Sequence, residues 1–206
     1  MSKLLAVVGV AATLYSAAAF AQQVVDYKGR HIQVGGGEQA SQCLALVRKA
    51  IDKTAELRPK QKAQAAEITD LRCNPRPSAG RTNEARDNAV GVYTVKSLDD
   101  PSGYINFPIE AGTISAADVV MSLVGNSSYA RWHHAYLAAR KKGPNDPAAK
   151  AEADRIAALF NGSDKTARLK AECALLDDQY EVVKSLDLGE KRLKGVNKQR
   201  ISRGCN

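Results

Sequence analysis

The strongest nucleophile signal in this chain is a cysteine placed just inside a helix pattern behind three glycines. Gly35-Gly36-Gly37-Glu38-Gln39-Ala40-Ser41-Gln42-Cys43 runs directly into Leu44-Ala45-Leu46-Val47. Unpaired backbone N–H groups in a helix's first turn favour negative charge, so a sulfur there leans towards thiolate, the form that attacks a carbonyl. Two candidate bases, His133 and His134, stand side by side later in the chain, and His31 is the third histidine. Adjacent helical residues point about 100° apart, so this pair cannot grip one ion, and neither a metal nor a cofactor is expected. Asp99-Asp100 and Asp177-Asp178 are paired in sequence alone. The first belongs to a turn and the second alternates across a helix surface, so neither offers the opposed carboxylates of glycoside hydrolysis. No Gly-x-Ser-x-Gly elbow, phosphate loop or dinucleotide fingerprint occurs, which leaves serine-hydrolase, nucleotide and Rossmann readings without support.

Sulfur has a competing use as scaffold. Lys3 precedes an apolar run from Leu4 to Leu14 that closes in Ala19-Phe20-Ala21, the pattern of a secretory leader cleaved after Ala21. The run is too short for a bilayer core and no later run approaches that length, so no transmembrane segment is expected. Export, with the periplasm as the expected destination, places Cys43, Cys73, Cys173 and Cys205 in an oxidising compartment where paired thiols persist. Four cysteines allow three connectivities; the expected one is local, Cys43 to Cys73 and Cys173 to Cys205, each tying a helix to the irregular segment after it. No Cys-x-x-Cys spacing supports a metal site instead.

The chain of 206 residues is basic, with a formal charge of +8. From Asp187 to Asn206 six basic residues (Lys191, Arg192, Lys194, Lys198, Arg200, Arg203) face two acidic ones. Such a tail attracts polyanions through a screened field that carries no sequence information, so an anionic envelope polymer is an expected partner and specific nucleic-acid recognition is not.

The elements that must position these groups follow from apolar spacing. Val24–Val34 reads as a small hairpin about Lys28-Gly29. Ala40, Cys43, Leu44, Val47, Ala50 and Ile51 share one stripe of a helix over about 38–57. Pro59 interrupts, and Lys60 to Leu71 is expected to be helical. Asn74 to Asn88, rich in Pro, Arg, Asn and Gly, reads as a long recognition loop. Val90, Val92 and Thr94 with Tyr104–Phe107 form a second hairpin signal across Asp99–Gly103. Ser115 and Asp118 cap a helix ended by Gly125, and a second helix, stopped by Gly143-Pro144, carries Tyr129, Trp132, His133 and Tyr136 on one face. Asp146 and Pro147 start a third, and Leu169, Cys173, Leu176, Tyr180 and Val183 define the seam of a fourth over 163–186. Asn126-Ser127-Ser128 and Asn161-Gly162-Ser163 match the N-glycosylation pattern.

The expected fold is therefore mainly α: a single compact helical domain with one or two small hairpins, stapled by disulfides. Residues 22–206 form the mature domain, with a mixed α/β part over 22–112 and a helical part with a basic tail over 113–206.

Gln42 to Val47 resembles the nucleophile helix of the papain-like cell-wall amidases of the NlpC/P60 and CHAP families. The resemblance implies Cys43 as nucleophile and His133 or His134 as base, acting on a peptidoglycan amide. The preferred reading is an exported, non-catalytic binding protein of the periplasm or extracellular space, either of inhibitor or immunity type or an envelope adaptor. Its expected contacts with a protein or an anionic polymer are Arg131, Trp132, Tyr136 and Arg140, and the tail residues Lys191, Arg192 and Lys194.

Overall fold

A computed structural model describes residues 23–36, 38–74, 91–108, 114–143 and 145–205. The expected leader, and all of the expected recognition loop beyond Asn74, lie outside the described residues.

Strands β1 (Gln23–Tyr27) and β2 (Arg30–Val34) pair antiparallel. Lys28 and Gly29 both take positive φ, 48° and 77°. That is the two-residue hairpin turn whose twist matches its strands. Helix α1 (Glu38–Lys53), a 3-10 turn at Thr54–Glu56 and helix α2 (Pro59–Ala66) carry the chain across to β3 (Asp70–Asn74), which runs parallel to β2. Strand β5 (Tyr104–Pro108) lies parallel to β3, and the short β4 (Tyr93–Thr94) pairs antiparallel with it. The sheet order is β1-β2-β3-β5-β4.

Both expected hairpins are present, but β3 joins them into one mixed sheet. The helix expected to continue to Leu71 stops at Ala66. Leu71 and Cys73 then alternate with Arg72, and their burial beneath α1, with hydrogen bonds to strands on both sides, outweighs any local helical preference. A buried cation marks the boundary. Arg30, 7% exposed, donates from Nη2 to the Ala65 carbonyl (2.9 Å) and from Nε to that of Ile68 (3.1 Å), satisfying acceptors that α2 leaves open at its end.

The α1 stripe is buried as its spacing predicts: Ala40, Cys43, Val47, Ala50 and Ile51 pack with Ile32, Leu71, Ile105 and Phe107. Helix α3 (Ala116–Gly125) covers this core with Val119, Val120 and Leu123, and its capping box is formed as expected: the Ser115 hydroxyl accepts from the Asp118 N–H and the Asp118 carboxylate accepts from the Ser115 N–H. Helices α4 (Ser127–Lys141) and α5 (Pro147–Asn161) form an antiparallel pair, the second opened by Asp146, which accepts from the N–H groups of Ala148 and Ala149. Helix α6 (Lys165–Ser185) packs on α3, placing Val182 in the same core, and pairs with α7 (Glu190–Arg203).

The tail is thus a helix, and this changes the geometry of the staples. Cys43–Cys73 and Cys173–Cys205 form as expected, with Cα–Cα distances of 5.9 and 5.4 Å. Their partners differ from the expectation: the first bond ties a helix to a buried strand, and the second closes the end of a helix pair. Among the described residues no helix is long and apolar enough to cross a membrane.

Candidate functional site

Cys43 lies in the second turn of α1 with its sulfur bonded to Cys73, and the two residues are 5% and 0% exposed. No cysteine is free. A disulfide sulfur in the core carries no thiolate, so the nucleophile implied by the amidase resemblance does not exist in this oxidised state. The proposed bases are also committed elsewhere. His133 is 0% exposed, with Nδ1 3.0 Å from the Tyr93 hydroxyl, while His134 points to solvent. His31 sits on the β1–β2 hairpin, paired with Asp26. The rings of His133 and His134 are 6.1 Å apart, one buried and one exposed, and among the described residues no group of His, Cys, Asp and Glu is arranged to hold a metal ion.

Burial lowers the basicity of His133, against the opposing pull of the Asp100 and Leu98 carbonyls. Burial also pushes the Tyr93 hydroxyl far above its ordinary range, so it remains a donor. The consistent tautomer has Tyr93 donating to Nδ1 and hydrogen on Nε2. The fit is tight enough to need glycine opposite: a Cβ at Gly103 would stand 1.7 Å from the Tyr93 oxygen. This pair fastens α4 to β4 and therefore makes stability depend on pH. A folded-state pKa below the unfolded value of about 6.5 leaves the protein unpenalised above that pH. As pH falls below it, the unfolded chain takes up the proton first, and stability drops by at most about 1.4 kcal/mol per pH unit for one group. His133→Gln, compared with the parent by urea unfolding between pH 7.5 and 5, should flatten this slope. Equal slopes would mean that His133 does not titrate in this way.

The aromatic and basic surface expected on α4 divides into three regions. Trp132 stacks edge-on against Tyr129 (5.2 Å between ring centres) and Phe160 (6.3 Å), forming an aromatic knot between α4 and α5. Arg131 turns the other way, to Glu67 just beyond α2, at 3.2 Å. Tyr136 and Arg140, one and two turns further on, reach the end of the α4–α5 pair where the connecting turn joins the two helices. There they line a cleft of about 290 Å³ whose floor is Ala139, Ala149 and Ala153 and whose mouth carries Lys150 and Asp154. The exposed Asp99 carboxylate bridges the two sequence-predicted residues, accepting from the Tyr136 hydroxyl at 3.2 Å and lying 3.4 Å from Arg140 Nε.

Asp99, Lys150, Ala153 and Asp154 escaped the sequence reading as site residues. The available signal was the opposition of Ala149, Ala153 and Ala157 to Ala139. Methyl groups facing methyl groups allow two helices to touch while leaving volume beside the contact.

The basic tail is largely occupied. Arg192 donates to Asp118 (2.7 Å) and Ser115, bracing the α3 capping box from α7. Arg200 pairs with Asp177, Arg203 with Glu172, and Lys194 with Glu190 one turn away. Lys191 and Lys198 carry no ion pair among the described residues. Asp178, neighbour of the outward Asp177, turns inward to accept from Lys60, Gln61 and Gln64, linking α6 to α2. The two glycosylation matches separate in the same way. Asn126 is 8% exposed and its amide is bonded to backbone, whereas Asn161 is exposed at the end of α5.

No protein-family model, characterised protein or solved structure matches this chain.

Proposed function

We propose that this chain is an exported binding protein of the periplasm or extracellular space, without a reaction of its own and of the inhibitor or immunity type, with its contact face where the turn joins α4 to α5. The observation that carries this reading is the cleft, where an apolar floor and a few convergent polar groups meet at the surface, as they do in binding sites generally. The sulfur chemistry supports it: every cysteine serves as a cross-link, the use expected in small exported domains, and the sulfur needed for an amidase is in the core. The adaptor variant draws less support, because four of the six tail cations are paired within the chain.

Alkylation of the native protein followed by mass spectrometry tests the non-catalytic half of the proposal. The expected result is no labelled cysteine, and selective labelling of Cys43 would restore the amidase. Photo-crosslinking to an envelope extract tests the other half. A probe at position 150 should give a discrete adduct that Arg140→Glu removes, and adducts from position 191 alone would transfer the contact face to the tail.

A further inference from the structure

The α4–α5 cleft combines three features that together specify a ligand chemistry. The first is unfilled apolar volume. Ala139, Ala149 and Ala153 form a small hydrophobic cluster with Tyr136, separate from the main core, and about 290 Å³ stands open above them. A surface cleft of this size, with an apolar floor, approaches the volume of small-molecule sites.

The second feature is a carboxylate already seated at the mouth. Asp99 lies between the Tyr136 hydroxyl and Arg140 Nε, showing that a carboxylate fits there. Its side chain is 65% exposed and that of Arg140 is 58% exposed, so the pair is held weakly enough to be displaced or joined by another anion. The terminal N–H groups of Arg140 make no hydrogen bond among the described residues, which leaves the forked face of the guanidinium open for a second carboxylate.

The third feature is the charge around the opening. Asp99 and Asp154 are each matched, by Arg140 and Lys150. Asp146 is spent on the first turn of α5. Lys141 and Lys142, exposed at the end of α4 next to the lining residues Arg140 and Gly143, carry no ion pair among the described residues and add positive charge beside the opening.

We propose that this cleft binds a small amphiphile that joins a short hydrocarbon tail to a carboxylate. The tail lies on the alanine floor against the Tyr136 ring, and the carboxylate takes the open face of Arg140 with Lys150 beside it. The inference deepens the binding-protein reading and rests on it.

Titration of the full chain with butanoate, hexanoate and octanoate, followed by amide chemical shifts and calorimetry, tests the proposal. Affinity should rise by about fourfold per added methylene until the cleft is full. Shifts should centre on Tyr136, Arg140 and Ala153, and hexylamine should bind at least tenfold more weakly than hexanoate. Ala153→Leu places a side chain in the vacant volume and should abolish binding while leaving the melting temperature equal or higher. Ala157→Leu, from the half-buried rim, serves as a second filling variant should the first fail to fold. Arg140→Gln should weaken hexanoate about tenfold and leave hexan-1-ol unchanged. Equal affinity for hexanoate and hexylamine, or undiminished binding in a folded filling variant, would overturn the site. Tighter binding by a peptide ending in a leucine carboxylate would overturn the small-molecule occupant. Failure of all these probes removes the amphiphile alone; the binding-protein reading falls only on labelling of Cys43 or on crosslinks confined to the tail.

Discussion

Asn126→Ala should lower the unfolding free energy by about 3 kcal/mol, because its side chain imitates a strand partner for backbone that has none. The carboxamide nitrogen donates to the carbonyls of Gly91 and Ser122, each at 2.7 Å, and the oxygen accepts from the Tyr93 N–H at 3.0 Å. These bonds hold the approach to β4 against the junction of α3 and α4. Alanine would leave a buried N–H and a buried carbonyl without partners, at about 1–3 kcal/mol each. The effect should extend to the Tyr93–His133 contact, since Asn126 sets the position of the Tyr93 backbone. Asn161→Ala is the control. It changes the other Asn-x-Ser site at an exposed position and should stay within about 0.5 kcal/mol of the parent. Urea unfolding measures both, and equal values would show that the buried carboxamide contributes little.

Removing the inner disulfide should have the larger effect. In the chain-entropy account, closing a loop over a sequence separation of 30 stabilises by about 3.5 kcal/mol, a large share of the roughly 5–15 kcal/mol that separates folded from unfolded chains. Cys43→Ala with Cys73→Ala also removes two sulfurs from the interface between α1 and β3, where they are almost wholly buried, so a packing loss adds to the entropic one. Cys173→Ala with Cys205→Ala opens a loop of nearly equal length but a half-exposed contact. Its loss should be smaller and local. Helix α7 buries Val196 and little else, so hydrogen exchange should report lost protection over 190–203 with the sheet unaffected. Equal destabilisation by the two double variants would show that packing around Cys43 and Cys73 adds nothing to the cross-link.

Much of the local structure was legible because its causes are local. Ser115 with Asp118, and Asp146 with Pro147, satisfy free N–H groups within four residues, so α3 and α5 begin where sequence places them. Lys28-Gly29 closes the first hairpin by a preference of two residues. The seam of α6 was legible in phase but not in extent. Leu176 and Val183 are buried, whereas Leu169, on the same stripe, is 42% exposed, because periodicity gives a helix its apolar side without saying how far a neighbour covers it.

By itself, then, the sequence determined the element types with local signals, the even set of cysteines and the excess of positive charge, while the choice among three cysteine pairings was made by the fold. Tertiary structure alone decided what those parts do. Strand β3 exists because β2 and β5, remote in sequence, supply hydrogen bonds on both sides. Three of the six tail cations pair with carboxylates on α3 and α6. Trp132, Arg131 and Arg140, near neighbours on one helix, face different surroundings. The cleft is the clearest instance: an alanine stripe reads as a helix's inner side, but whether the facing residues fill or leave the space is a property of two surfaces brought together.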